Sequence, residues 1–64
     1  MQTFSEFSGQ LLKTLRENMR LSRPALAELL GVTAQAVYDW ETDRKKPGLD
    51  NLRAIGKVFG IIFY

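Results

Sequence analysis

Residues 22–41, S-R-P-A-L-A-E-L-L-G-V-T-A-Q-A-V-Y-D-W-E, have room for two short helices and almost nothing between them. Ser22 is an N-cap, and Arg23 and Pro24 follow it in a first turn where proline is tolerated because those amides have no intrahelical partner. The apolar positions continue to Leu30, and Gly31 ends the helix. Thr33, two residues beyond that glycine, is a second N-cap. Two helices separated by so little chain must turn sharply and pack on each other.

That is helix-turn-helix geometry. Three residues suit it at their places: Ala27 is small enough for close approach, Gly31 supplies a positive φ, and Val37 fills the angle from the second helix. At 100° per residue, Ala36, Val37, Trp40 and Glu41 share one side of that second helix and predict a core face. Ala34, Gln35, Tyr38 and Asp39 fall on the other side, where an amide, a phenol and a carboxylate point outward. Major-groove reading requires such hydrogen-bonding groups, and an ordinary solvated helix face has them too.

The rest of the composition narrows the possibilities. With 64 residues the chain is read as one domain, 1–64, whose core is marginal without help such as dimerisation. It has no cysteine and no histidine, so disulfides, thiolate metal sites and the commonest general base are excluded. No nucleophile–base pair, metal cluster or phosphate loop stands out, which predicts a protein that is not an enzyme and needs no cofactor. No apolar run has the length of a membrane span and the first residues lack a signal-peptide layout, so the expected location is cytoplasmic, with no membrane partner.

Nine Lys and Arg against seven Asp and Glu leave a net charge of +2, too small to indicate a polyanion partner alone. The distribution says more. Arg44, Lys45 and Lys46 directly follow the second motif helix, and Arg20 and Arg23 flank the start of the first. Clustered around one element, they make an electrostatic footprint for phosphates.

L-S-R-P-A-L-A-E-L-L-G-V-T-A-Q-A-V-Y-D-W-E followed by T-D-R-K-K-P resembles the XRE/Cro-type helix-turn-helix family, which includes the lambdoid phage repressors. The resemblance runs from about Leu12 to about Gly60, and the Ala, Gly and Val spacing, the W-E pair and the K-P of the next loop all fall in register. It implies an all-α, lambda repressor-like bundle of four to five helices that binds double-stranded operator DNA as a homodimer. Catalysis is not implied.

Residue roles follow from the same resemblance. The family's arginine matching Arg16 pairs with the glutamate matching Glu41, so a partly buried ion pair is expected to pin the first helix to the reading helix. Base contacts are carried over to Ala34, Gln35 and Asp39, with Tyr38 at a variable position. Gln35 would take adenine in a bidentate pair, Ala34 would touch a thymine methyl, and Asp39 would accept from cytosine N4 or reject wrong sequences. Phosphate contacts are expected from Arg23, Thr33, Arg44, Lys45 and Lys46, and from the Tyr38 hydroxyl. Two departures stand out: Arg23 replaces a usual glutamine, and Asp39 replaces an amide or basic side chain. Asp43 also stands where glycine is usual, at a position of left-handed backbone.

Outside the motif, residues 1–7 read as a loose lead-in whose Phe4 and Phe7 pack beside the first helix. Ser8 is its N-cap, and Leu11, Leu12, Leu15 and Met19 form an apolar stripe. Leu26, Ala27 and Leu30 are the buried face of the next helix. After Pro47 and Gly48, Leu49, Leu52, Ile55, Gly56 and Phe59 share a face of the last predicted helix, with Gly56 explained by close helix packing. The apolar tail Ile61, Ile62, Phe63 and Tyr64 has three destinations: a strand pairing with the same strand of a second subunit to form a dimer interface, packing against Phe4, Phe7 and the first helix, or the start of a fifth helix. Its β-branched and aromatic content favours a strand.

The expected function is a transcriptional regulator, a repressor on a near-palindromic operator. One alternative is an antitoxin-type or adaptor protein whose tail binds a protein partner. Another is a nucleoid-coating protein with little sequence preference.

Overall fold

In the computed structural model, which describes residues 3–64, the order is β1 (Thr3–Ser5), α1 (Gly9–Asn18), α2 (Arg23–Leu30), α3 (Ala34–Glu41), α4 (Leu49–Phe59) and β2 (Ile61–Phe63). This is the four- to five-helix, repressor-like bundle expected, with four helices among the described residues and a short C-terminal strand.

Local chemistry sets the helix starts. The hydroxyls of Ser8, Ser22 and Thr33 accept hydrogen bonds from the amides of Leu11, Ala25 and Ala36 at 3.0, 3.1 and 3.1 Å. Each satisfies one donor that the first turn of its helix leaves open. Ser22→Ala is therefore expected to cost about 1 kcal/mol. For a domain of this size, that is a fall in Tm of about 4–8 °C, read by thermal denaturation. Gly31 closes α2 at φ 70°, and the Val32 amide returns to the Ala27 carbonyl at 3.0 Å, so the turn into α3 is fixed within two residues.

The core lies where α1, α2, α3 and α4 converge: Leu12, Leu26, Val37 and Ile55 are fully buried, and Ala27 and Trp40 nearly so. Periodicity placed all of these correctly. Two expected core positions fall outside. Met19 follows α1 as its C-cap and is 50% exposed, and Leu49 opens α4 at 64% exposure. Both sit at helix ends, where the stripe has already run past the neighbouring helix.

The two chain ends meet. β1 and β2 pair in parallel, with Thr3 opposite Ile61, Phe4 opposite Ile62 and Ser5 opposite Phe63, and the Tyr64 amide extends the ladder to the Ser5 carbonyl at 3.1 Å. Parallel strands cannot be joined by a hairpin, and here the whole helical bundle is the crossover. Residues 3–5 of the expected loose lead-in are thus a strand, and residues 1–2 lie outside the described part. Of the tail's three destinations, the structure shows packing within the chain, in the form of a strand that pairs with β1 rather than with a second subunit, and Phe63 meets Phe7 edge-on at 5.7 Å between ring centroids. Gly56 of α4 lies against the Ile61 carbonyl oxygen, so the close approach that explains this glycine is to β2 rather than to a helix.

Candidate nucleic-acid interface

The N-terminus of α2, the outer face of α3 and residues 42–48 form one continuous surface. Glu41, at the end of α3, organises its back. Arg16 Nε donates to Glu41 Oε2 at 2.6 Å and another Arg16 nitrogen, Nη2, donates to Oε1 at 3.1 Å. Arg16 Nη1 reaches the Leu21 carbonyl at 2.8 Å, so one guanidinium ties α1, the loop after it and α3 together. The hydrogen bonds that Arg16 donates to Glu41 raise the Arg16 pKa above its ordinary value, outweighing the desolvation that lowers it.

Arg23 completes this cluster. Its Nε donates to Glu41 Oε1 at 3.0 Å, and its guanidinium lies over the Tyr38 ring, 5.1 Å from the centroid. The side chain is 36% exposed. Its terminal nitrogens make no hydrogen bond among the described residues. One arginine therefore braces α2 against both the buried and the outer side of α3, where the resembled family uses an amide. The motif did not reveal this second partner of Glu41, because Arg23 and Glu41 are eighteen residues apart.

On α3 itself, Gln35 and Tyr38 are exposed and Ala34 is half-buried. Asp39 departs from the exposure expected on this face: it is only 7% exposed. One carboxylate oxygen accepts from Gln35 Nε2 at 3.0 Å, and Lys45 Nζ stands 4.0 Å from the other. The physical reason is the loop that follows. The amides of Arg44 and Lys45 both bond the Asp39 carbonyl, at 2.9 and 3.3 Å, which folds residues 42–45 back over this side chain. The i, i+4 spacing of Gln35 and Asp39 was the available signal.

The same fold-back leaves Arg44, Lys45 and Lys46 exposed beside α3. Asp43 makes the reversal possible with φ 60°. Thr33 accepts the cap hydrogen bond through its hydroxyl oxygen and keeps its hydroxyl proton to donate. Among the described residues no group of His, Cys, Asp or Glu is arranged to hold a metal ion. Among the described residues no helix is long and apolar enough to cross a membrane.

A capped helix, a tight left-handed glycine turn and a second capped helix with a polar outer face define a helix-turn-helix domain. Comparison with known proteins agrees. Residues 12–61 match the helix-turn-helix family, and the chain belongs to it, as the XRE/Cro-type resemblance implied. Over 47 residues it is 40% identical to a protein of Methanocaldococcus jannaschii named as an HTH-type transcriptional regulatory protein. That match takes in 73% of this chain but only 15% of the archaeal protein.

Among solved structures, the P22 c2 repressor in complex with a synthetic operator superposes with a TM-score of 0.83 at 24% identity, over 91% of this chain and 88% of that one. The solution structure of the P22 c2 repressor DNA-binding domain gives 0.80 at 26% identity, over 97% and 79%.

Proposed function

We propose that this chain is a non-catalytic, DNA-binding transcriptional regulator that lays α3 in the major groove. The observation that carries the reading is the joint presentation of Gln35 and Tyr38 beside exposed Arg44, Lys45 and Lys46, on a fold shared with a repressor solved on its operator. Ala34, Gln35 and Tyr38 are the base-facing set. Arg23, through its terminal nitrogens, joins Thr33 and the basic loop in holding phosphates, positioned by Glu41 and Tyr38. Asp39, covered by the loop, lies within this face beside Gln35 and Lys45.

Repression from a near-palindromic operator by a cytoplasmic homodimer is the form of this function that we favour, with half-sites about 34 Å apart. The tail supports a contact surface: Phe4 and Ile62 are opposed in register and are 64% and 42% exposed, and Tyr64 is 77% exposed. Ile61 and Phe63 turn inward and support that surface from beneath. The same outer patch would suit an antitoxin-type protein partner. Sedimentation of the free protein separates the two: a concentration-dependent dimer abolished by Ile62→Asp supports the homodimer, and a monomer that co-purifies with a second protein supports the adaptor.

Selection from random DNA tests the main proposal. A preferred sequence should bind at least ~10³-fold tighter than scrambled DNA and weaken steeply with salt. Replacing Arg44, Lys45 or Lys46 by alanine is expected to weaken binding to all sequences alike. For each phosphate that is no longer neutralised, the log–log salt slope should flatten by about 0.9. Equal, weak binding to selected and scrambled DNA would count against sequence-specific regulation.

A further inference from the structure

Resting on the reading of α3 as a major-groove helix, we infer that Asp39 is a positioning residue that fixes the Gln35 amide so that it reads adenine. An ionised carboxylate only accepts hydrogen bonds. The Gln35 amide therefore turns its NH₂ toward Asp39 Oδ1, at 3.0 Å, and its oxygen away, since the reverse orientation would set oxygen against oxygen. The Asp39 carboxylate is itself enclosed: its side chain is 10% exposed, Lys45 Nζ stands 4.0 Å from its other oxygen, and the loop that carries Lys45 is tied to the Asp39 backbone carbonyl.

The outward edge of Gln35 is then one acceptor, Oε1, beside one donor, the second N–H of Nε2. Adenine presents the complement in the major groove, the N6 donor beside the N7 acceptor. Guanine presents two acceptors, O6 and N7, so Oε1 would face O6 without a proton between them. A free glutamine escapes that conflict by rotating its amide. A glutamine tied to Asp39 does not. Asparagine at position 39 removes the constraint, because its amide can donate to Gln35 Oε1 as readily as its oxygen can accept.

The experiment selects an operator with the wild-type protein, then measures binding of wild type, Asp39→Asn and Gln35→Ala to that operator and to versions with each A·T pair changed to G·C. Wild type should lose about 10-fold or more at one symmetric A·T position. Gln35→Ala should lose that preference. Asp39→Asn should reduce it to less than ~3-fold at that position while binding scrambled DNA at least as tightly as wild type, because a negative charge beside Lys45 is removed, a readout that loss of folding would not mimic. Full discrimination retained by Asp39→Asn, or no A·T requirement sensitive to Gln35, overturns the inference while leaving operator binding in place. Failure of wild type to prefer any sequence overturns the reading of α3 itself and the inference with it. If Asp39→Asn folds poorly, NMR of the free wild-type protein decides. A Gln35 side-chain amide as ordered as the backbone supports the tie, and a freely rotating one overturns it.

Discussion

Glu41→Ala is expected to destabilise the domain by about 3–5 kcal/mol, because it strands the buried Arg16 guanidinium without a counter-charge. Arg16 is 8% exposed and gives two of its nitrogens to Glu41, and Arg23 gives a third hydrogen bond to the same carboxylate. After the substitution Arg16 keeps only the Leu21 carbonyl, and two cations lie near each other without a counter-charge, so repulsion adds to desolvation. A chain of this length has a total stability of about 3–10 kcal/mol, so the variant should be largely unfolded or lose at least ~12 °C in Tm. Urea denaturation with circular dichroism measures it.

The double variant Arg16→Met, Glu41→Leu should recover most of the loss, because a buried ion pair replaced by apolar groups of similar volume is often neutral. Equal instability of the single and double variants would mean that packing, not the stranded charge, sets the cost. The pH dependence from the arginine side follows from the direction of its shift. A folded pKa raised above the unfolded value contributes stability that is complete below the unfolded pKa and is lost only as pH rises through the folded one. For Arg16 that window lies in strong alkali, so its contribution is constant at ordinary pH.

The second large effect is expected at Gly9, the first residue of α1. A Cβ there would fall against the Trp40 carbonyl oxygen and 2.6 Å from that of Glu41. Alanine would raise helix propensity by at most about 1 kcal/mol at this position. The clash opposes it and is with backbone, which cannot swing aside as a side chain would, so α1 must lift from the end of α3. Overpacking of this kind costs about 1–3 kcal/mol, and the site's rigidity places Gly9→Ala in the upper half of that range. Lifting α1 also lengthens the Arg16 to Glu41 bonds, so the effects of Gly9→Ala and Arg16→Met should be non-additive. A Gly9→Ala variant as stable as wild type would show that α1 can move freely against α3.

Both predictions concern the same junction, and the sequence exposed only part of it. Arg16 and Glu41 were legible through the family resemblance. Gly9 carried no signal, because a glycine after a serine N-cap is locally unremarked and its neighbour in space lies thirty-one residues away. Arg23 was legible as a cation near the surface but not as the brace that holds Tyr38. The helix starts, the Gly31 turn and the buried set Leu12, Leu26, Val37, Trp40 and Ile55 were readable because caps, turns and periodicity act over a few residues.

The chain's sequence by itself determined the four helices, the tight turn between α2 and α3, and the family to which they belong. The tertiary structure decided three things. It paired residues 3–5 with 61–63, which no local pattern encodes, because a three-residue strand is stable only when a distant partner supplies its hydrogen bonds. It covered Asp39 where its helical angle places it, on the stripe of Gln35, because the following loop folds back onto its carbonyl and Gln35 and Lys45 close on its carboxylate. And it joined Arg23 to Glu41 and Tyr38, because packing α2 on α3 brings a surface cation within reach of a buried carboxylate.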